Sequence, residues 1–335
     1  MLKRGTQIRA VGISATGMYV PERILTNAQL ETMVDTTDEW IRTRTGIVER
    51  HVAAPGTPAS ELAAPALRSA LRVRGMAPEE LDHLIVTTVT PDMFFPSTAC
   101  VLQDKVNARN AWGYDLSAAC SGFIFGLVAG YQAIASGSVN NAAVVGVDVL
   151  TTLVEWTNRN QCILFGDGCG VVILEPLTEG DGIIDAVLHA DGGGGQYLHM
   201  LGGGSLNPPT HATIDQGLHY LYQDGKAVFK VASTLMADVT REVVERNGFN
   251  IQDVSLIIPH QANLRIIEAV AKRLGIPREQ VLINIDRYGN TTSATIPMGL
   301  HEAAQTGRIK KGDLVVLTSF GGGYTWGAVL LRWEL

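Results

Sequence analysis

A chain of 335 residues with 46% hydrophobic and 18% charged content can bury a large core, with room for one large domain or two packed halves. Its net charge of −7 lacks the basic footprint of a nucleic-acid binder. No stretch reaches the roughly 18 uninterrupted apolar residues of a membrane span. The N-terminus, MLKRGTQIRAVG, has early basic residues but no apolar segment of a secretory leader. Four cysteines, at 100, 120, 162 and 169, form no C-x-x-C pair. A disulfide framework is not expected at this size, and the reading is a cytoplasmic protein with reduced thiols.

In chain order, ELAAPALRSALRV (61–73) has the spacing of an amphipathic helix and passes through Gly75 into an apolar, β-branched strand ending near Thr87. WGYDLSAAC (112–120) reads as a strand arriving at Cys120, followed by a helical run rich in small residues. ASGSVNNAAVVGVDV (135–149) is a helix end, a turn and another apolar strand. EPLTEGDG (175–182) interrupts the pattern, dividing the chain into 1–178 and 179–335. GGGGQYLHMLGGGSLNPPTH (192–211) reads as an extended loop. A second helix, TLMADVTREVVER (234–246), passes through Gly248 into a strand ending at His260. A further helix follows, then VLINIDRYGN (281–290), the helix-to-strand run QTGRIKKGDLVVLTSF (305–320) and the glycine-rich turn SFGGGYTWG (319–327).

The order of elements repeats. Gly75 and Gly248 are 173 residues apart, and Gly137 and Gly307 are 170 apart. Strands that are apolar throughout are covered on both faces. The expected architecture is therefore two α/β halves, each a mixed sheet sandwiched by helices, related by a pseudo-two-fold axis. One doubly wound domain with accidental similarity is the alternative.

Subtracting 170 from Asn290 gives Cys120, and subtracting 173 from His260 gives Thr87. All three polar residues are then expected at strand C-termini, where α/β active sites gather. A thiol at a helix N-terminus meets free N–H groups and the positive end of the dipole, which favours thiolate. A buried cysteine is more often a small hydrophobe, and Cys100, Cys162 and Cys169 are read that way. His260, just before a helix, should have a lowered pKa and act as a neutral donor. Asn290 taken alone could merely cap a helix. The chemistry that uses all three is acyl transfer followed by carbon–carbon bond formation. Cys120 attacks an acyl thioester, and the N–H groups of Cys120 and Gly322 hold the oxyanion. His260 and Asn290 then stabilise the enolate of a malonyl-type thioester as it loses carbon dioxide.

The motifs DTTDEWIRTRTGI (35–47), DLSAACSGF (115–123), FGDGCG (165–170), PHQANLRII (259–267), DRYGNTTSA (286–294) and FGGGYTWG (320–327) together resemble the β-ketoacyl-acyl-carrier-protein synthase III family, in order and over essentially the full chain. The resemblance implies a thiolase-like fold of two pseudo-symmetric halves in a layered αβαβα sandwich. It further implies a homodimer that starts fatty-acid synthesis from acyl-CoA and malonyl-acyl carrier protein, with no cofactor and no metal. It matches Cys120, His260 and Asn290 to the catalytic positions. Trp40 and Arg159 match the clamp on the CoA adenine, with Thr36 and Arg44 nearby. Asn263 matches the pantetheine tunnel, and Phe95 a residue that floors the partner's acyl pocket. Tyr324 and the long segment 201–225 depart from the commonest pattern and bear on acyl selectivity.

On the helix after His260, Leu264, Ile267, Val270, Ala271 and Leu274 fall on one stripe, with Arg265 and Lys272 opposite and Arg273 flanking. With Lys230 they form a candidate basic patch for an acidic carrier protein, or else an ordinary solvated face. A Cys–His–Asn hydrolase would use the same residues with His260 as base. A related condensing enzyme of a specialised polyketide or lipid pathway is the nearer alternative.

Overall fold

The computed structural model describes residues 8–335. The early basic residues of the N-terminus, Lys3 and Arg4, lie outside the described residues. The first sheet comprises β1 (Val11–Tyr19), β2 (His83–Thr87), β3 (Trp112–Leu116), β4 (Ala142–Val149) and β5 (Asp167–Pro176), in the order β1-β5-β4-β2-β3. Strands β1 and β4 run antiparallel to β5, and β2 runs parallel to β4 and β3. The second sheet comprises β6 (Ile183–Ala190), β7 (Leu256–Pro259), β8 (Leu314–Gly321) and β9 (Thr325–Arg332), in the order β7-β8-β9-β6. Here β6 and β8 run antiparallel to β9, and β7 runs parallel to β8. A single parallel bridge from Val281 to Ile257 stands beyond β7, where the first sheet has β3. Order and strand direction therefore repeat. Strands β2, β4 and β8 are buried at every residue, as strands covered on both faces must be.

The helices are α1 (Asp38–Thr45), α2 (Ala59–Arg74), α3 (Thr98–Val106), α4 (Gly122–Ala135), α5 (Gly225–Glu245), α6 (Leu264–Leu274) and α7 (Thr295–Gln305). Helices α4 and α7 lie between the sheets and touch both; α2 and α3 cover the outside of the first sheet, and α5, with α6 beside it, the outside of the second. The result is the five-layered thiolase-like sandwich. The small residues of α4 follow from this central position. A β-carbon on Gly126 would lie 2.5 Å from Thr87 Cγ2, too close for the helix to stay against β2.

The turn between Pro176 and Ile183 joins the two sheets. The segment 192–211, expected as loop, contains a 3₁₀ turn (Gly192–Gln196) and the strand Leu198–His199, which pairs with Tyr222–Gln223 beyond a short helix (His211–Asp215).

The landmark glycines Gly75, Gly137, Gly248 and Gly307 all follow helices with φ between 68° and 79°. The spacing nevertheless differs from expectation at the decisive place. Helix α4 has 14 residues and α7 has 11, so three residues are lost within the helix, upstream of Gly307. At the turns that start these helices the offset is 173. The 3₁₀ turn Ala119–Ser121 corresponds to Thr292–Ala294, and each begins with a non-glycine residue at positive φ, 47° for Ala119 and 53° for Thr292. The counterpart of Cys120 is thus Ser293, and Asn290 corresponds to Ser117. The pairing of Cys120 with Asn290 by 170 residues is corrected accordingly, while that of His260 with Thr87 stands.

Candidate active site

A cavity of about 250 Å³ has Cys120, His260 and Asn290 in its wall. Cys120 lies on the 3₁₀ turn leading into α4, His260 directly follows β7, and Asn290 follows the one-turn helix Ile285–Tyr288 instead of ending a strand. The turn carrying Cys120 is tied to the second sheet: Ser319 Oγ donates to the Cys120 carbonyl at 2.8 Å, and Ser121 Oγ to the Thr325 carbonyl at 2.9 Å. Thr325 Oγ1 closes the frame by donating to the Ala118 carbonyl at 2.9 Å.

The thiol is open to the cavity yet deep among protein atoms. Burial pushes its pKa up to about 12, and the Asp148 carboxylate adds to the rise. Hydrogen bonds from the N–H groups of Cys120 and Gly322 oppose it without reversing it. The expected resting thiolate is therefore corrected to a thiol, because desolvation outweighs the helix terminus. Asp148, on β4, is fully buried and accepts from the Val89 N–H, the Thr88 and Thr90 hydroxyls and the Ser293 hydroxyl at 2.8–3.0 Å. Burial raises its pKa, and these donors hold it down.

His260 is 2% exposed, and burial lowers its pKa to about 3, so the ring is neutral. Its Nδ1 lies 2.8 Å from Thr295 Oγ1. The Asn290 amide is oriented by its Oδ1, which accepts from the Thr292 N–H at 2.9 Å. This is a local cap, as an asparagine before a helical turn would make. It also leaves the Nδ2 donor without a protein partner among the described residues, in the cavity wall. The backbone of Asn290 is anchored too, with its N–H on the Leu164 carbonyl at 2.9 Å.

Outside the cavity, Trp40 and Arg44 of α1 line a groove with Asn263, Arg265, Lys226 and Phe229. Thr37 Oγ1 caps α1 through the Trp40 N–H at 3.1 Å, which fixes where the indole begins. The guanidinium groups of Arg44 and Arg159 lie 4.7 and 4.9 Å from the Trp40 ring centre. Asn263 caps α6 through the Arg265 N–H and donates to the Arg44 carbonyl at 3.0 Å, bracing the groove with both ends of its amide. Thr36 is not among the residues that line the groove, and its hydroxyl is buried with no partner among the described residues. Phe95 is 85% exposed and takes no part in its own chain's cavity.

Two family models match the chain: 3-oxoacyl-[acyl-carrier-protein] synthase III over residues 114–192 and its C-terminal part over 244–333. The β-ketoacyl-[acyl-carrier-protein] synthase III of Symbiobacterium thermophilum is 50% identical over 98% of this chain and 99% of its own length. The chain belongs to the 3-oxoacyl-[acyl-carrier-protein] synthase III family. The crystal structure of the synthase III from Aquifex aeolicus superposes with a TM-score of 0.89 at 44% identity, covering 96% of this chain and all of that one. The priming β-ketosynthase of the R1128 polyketide pathway superposes with a TM-score of 0.92 at 32% identity, covering 99% and 98%. Membership makes the chain a condensing acyltransferase.

For a synthase III the rest of the cavity is informative. Val89, Leu150, Leu153, Phe165 and Leu221 give it an apolar wall, while His199 and Gln223 add polar groups from the short strand pair. Gln223 lines both cavity and groove, so the two meet there. Neither residue was legible as a site residue, since segment 192–223 has no sustained periodicity. Ile266, left off the apolar stripe of α6, is buried and lines the cavity. Lys230, Arg265, Lys272 and Arg273 are all exposed, and Arg265 packs its guanidinium 5.8 Å from the Phe229 ring. Lys226, at the groove, was not anticipated. Among the described residues, no helix is long and apolar enough to cross a membrane.

Proposed function

We propose that this synthase III condenses an acyl-CoA primer with malonyl-acyl carrier protein, using Cys120, His260 and Asn290 as the catalytic set. The observation that carries this reading is one cavity wall holding a thiol, a neutral imidazole and an amide NH₂, beside the N–H groups of Cys120 and Gly322. The Cys120 sulfur attacks the primer's carbonyl, the N–H pair holds the oxyanion, and the thioester bond breaks. The thiol proton ends on the departing CoA sulfur. Malonyl-acyl carrier protein enters next. Its carbon–carboxylate bond breaks, and the electron pair passes into the thioester as an enolate, against donors on His260 and Asn290. The enolate carbon attacks the acyl-Cys120 carbonyl, and collapse releases the 3-oxoacyl product and expels Cys120 as a thiolate, which takes one proton from solvent to restore the resting thiol. No step requires a cofactor or metal.

Within the same reading, Trp40, Arg44 and Arg159 hold the CoA nucleotide, and Asn263 frames the pantetheine path. The exposed basic residues Lys230, Arg265, Lys272 and Arg273 receive the carrier protein. Two copies pair across the β3 edge. Support comes from the half-open Trp112 and Tyr114 on that strand and from Phe94 and Phe95, 78% and 85% exposed. Phe95 then reaches the partner's acyl cavity. The four unpaired cysteines suit a reducing cytoplasm, and residues 1–178 and 179–335 are the two halves of the duplication. Intact-mass analysis after acyl-CoA alone should find one acyl group on Cys120. Malonyl-acyl carrier protein should then discharge it with release of carbon dioxide and a 3-oxoacyl product. Free acid without malonyl-dependent carbon dioxide would favour a hydrolase.

A further inference from the structure

A neutral histidine carries one ring proton, and the nitrogen that holds it decides whether the other end donates or accepts. His260 Nδ1 lies 2.8 Å from the hydroxyl of Thr295, the first residue of α7, and both side chains are buried. The hydroxyl has one proton and two acceptors in reach, Nδ1 and the Thr292 carbonyl at 3.0 Å. That carbonyl already accepts the Thr295 backbone N–H. Nδ1 has no other partner among the described residues and is the nearer of the two.

We propose that Thr295 is a positioning residue whose hydroxyl donates to His260 Nδ1, keeping the ring proton on Nε2 as a donor towards the cavity. Nε2 makes no hydrogen bond to the described residues, and His260 lines the cavity. One short segment then sets both donors. The Thr292 N–H turns the Asn290 amide so that its NH₂ faces the substrate, and the Thr295 hydroxyl does the same for the imidazole proton. The inference rests on the reading of His260 as a donor to the enolate. The opposite arrangement, with Nδ1–H donating to Thr295 Oγ1, leaves a lone pair on Nε2 and makes His260 a base, as a hydrolase would use it.

The test is ¹⁵N NMR of the full chain labelled with [¹⁵N]histidine, with His260→Asn used for assignment. The wild type should show Nε2 protonated and Nδ1 bare. Thr295→Val should move the ring towards the other tautomer, and Thr295→Ser should restore it. In kinetics, Thr295→Val should slow malonyl-dependent carbon dioxide release at least about tenfold. That is short of the roughly 10²–10³-fold loss from removing a donor outright, and acyl-adduct formation on Cys120 should keep its wild-type rate. A protonated Nδ1 in the wild type, or full decarboxylation by a folded Thr295→Val, overturns the proposal. Should Thr295→Val fail to fold, the wild-type spectrum decides. The spectrum needs no substrate, so it separates this inference from the functional reading, which fails instead if Cys120 takes no acyl group.

Discussion

Gly321 packs against Cys120 so closely that a β-carbon on it would lie 2.6 Å from the Cys120 amide nitrogen and 3.0 Å from its Cβ. The contact is with backbone, so it cannot be relieved by a side-chain rotation. Gly321→Ala should push the nucleophile turn off the end of β8. A displacement of about 1 Å costs on the order of 10² in rate, so acylation of Cys120, followed by intact mass, should fall by that much. A Gly321→Ala chain acylating at the wild-type rate would mean that the turn has freedom the packing denies.

Replacing His260 or Asn290 by Ala should separate the half-reactions. Each change removes one donor from the enolate side and leaves the N–H groups of Cys120 and Gly322 in place. Malonyl-dependent carbon dioxide release should drop roughly 10²–10³-fold, with acylation much less affected. Equal loss in both steps would assign these residues to thiol activation.

The resting thiol should behave as its burial dictates. With the pKa pushed up to about 12, thiolate at pH 7 is on the order of 10⁻⁵ of the total. Alkylation of Cys120 by iodoacetamide, read on its own peptide to exclude exposed Cys100, should climb with pH throughout 7–10. A rate that levels off below pH 8 would mean an ionised resting cysteine.

The groove predicts a selective defect. Trp40→Ala removes the ring under both Arg44 and Arg159. Losing such a stack costs about 1–2 kcal/mol, which raises KM for acyl-CoA about tenfold. Because carrier protein bears no adenine, the malonyl-acyl carrier protein KM should stay put, and comparable rises for both substrates would remove the nucleotide assignment.

Acid should unfold the chain partly through two histidines. Burial lowers His260 to about 3 and His83, 1% exposed under the Trp112 ring, to about 4. Both folded values lie below the unfolded value of about 6.5, so the unfolded chain binds more protons. Their contribution is whole above pH 6.5 and is lost as pH falls towards 4 and 3. The loss should be about 2 kcal/mol each at pH 5. Urea melts at pH 7.5 and 5 should show it, and His83→Gln should shrink the difference. An unchanged pH dependence in that variant would place the acid sensitivity elsewhere.

Much of this was legible because the chain is written in short, strongly patterned pieces. Cys120 and His260 stand where apolar strands give way to helices, and sequence marks such places well. The counterpart of Cys120 was mislocated because three residues are missing inside α7 while the landmark Gly307 lies beyond the gap. A local deletion within a helix leaves its periodicity intact, and nothing at residue 290 betrays it. The thiol's protonation was misjudged for a different reason. The helix terminus can be read from residues next to Cys120, but its burial comes from both sheets and its neighbour Asp148 from β4.

The correspondence of Cys120 with Ser293 and of His260 with Thr87 describes two symmetry-related corners, each built from both halves of the chain. At one of them Cys120 of the first half and His260 of the second line an open cavity. At the other, Ser293 of the second half and Thr87 of the first have closed on each other: the single proton of the Ser293 hydroxyl is shared between the Thr87 carbonyl at 2.8 Å and the buried Asp148 at 2.9 Å. The filled corner backs the hollow one, and the pseudo-symmetry of the fold stops at the cavity wall.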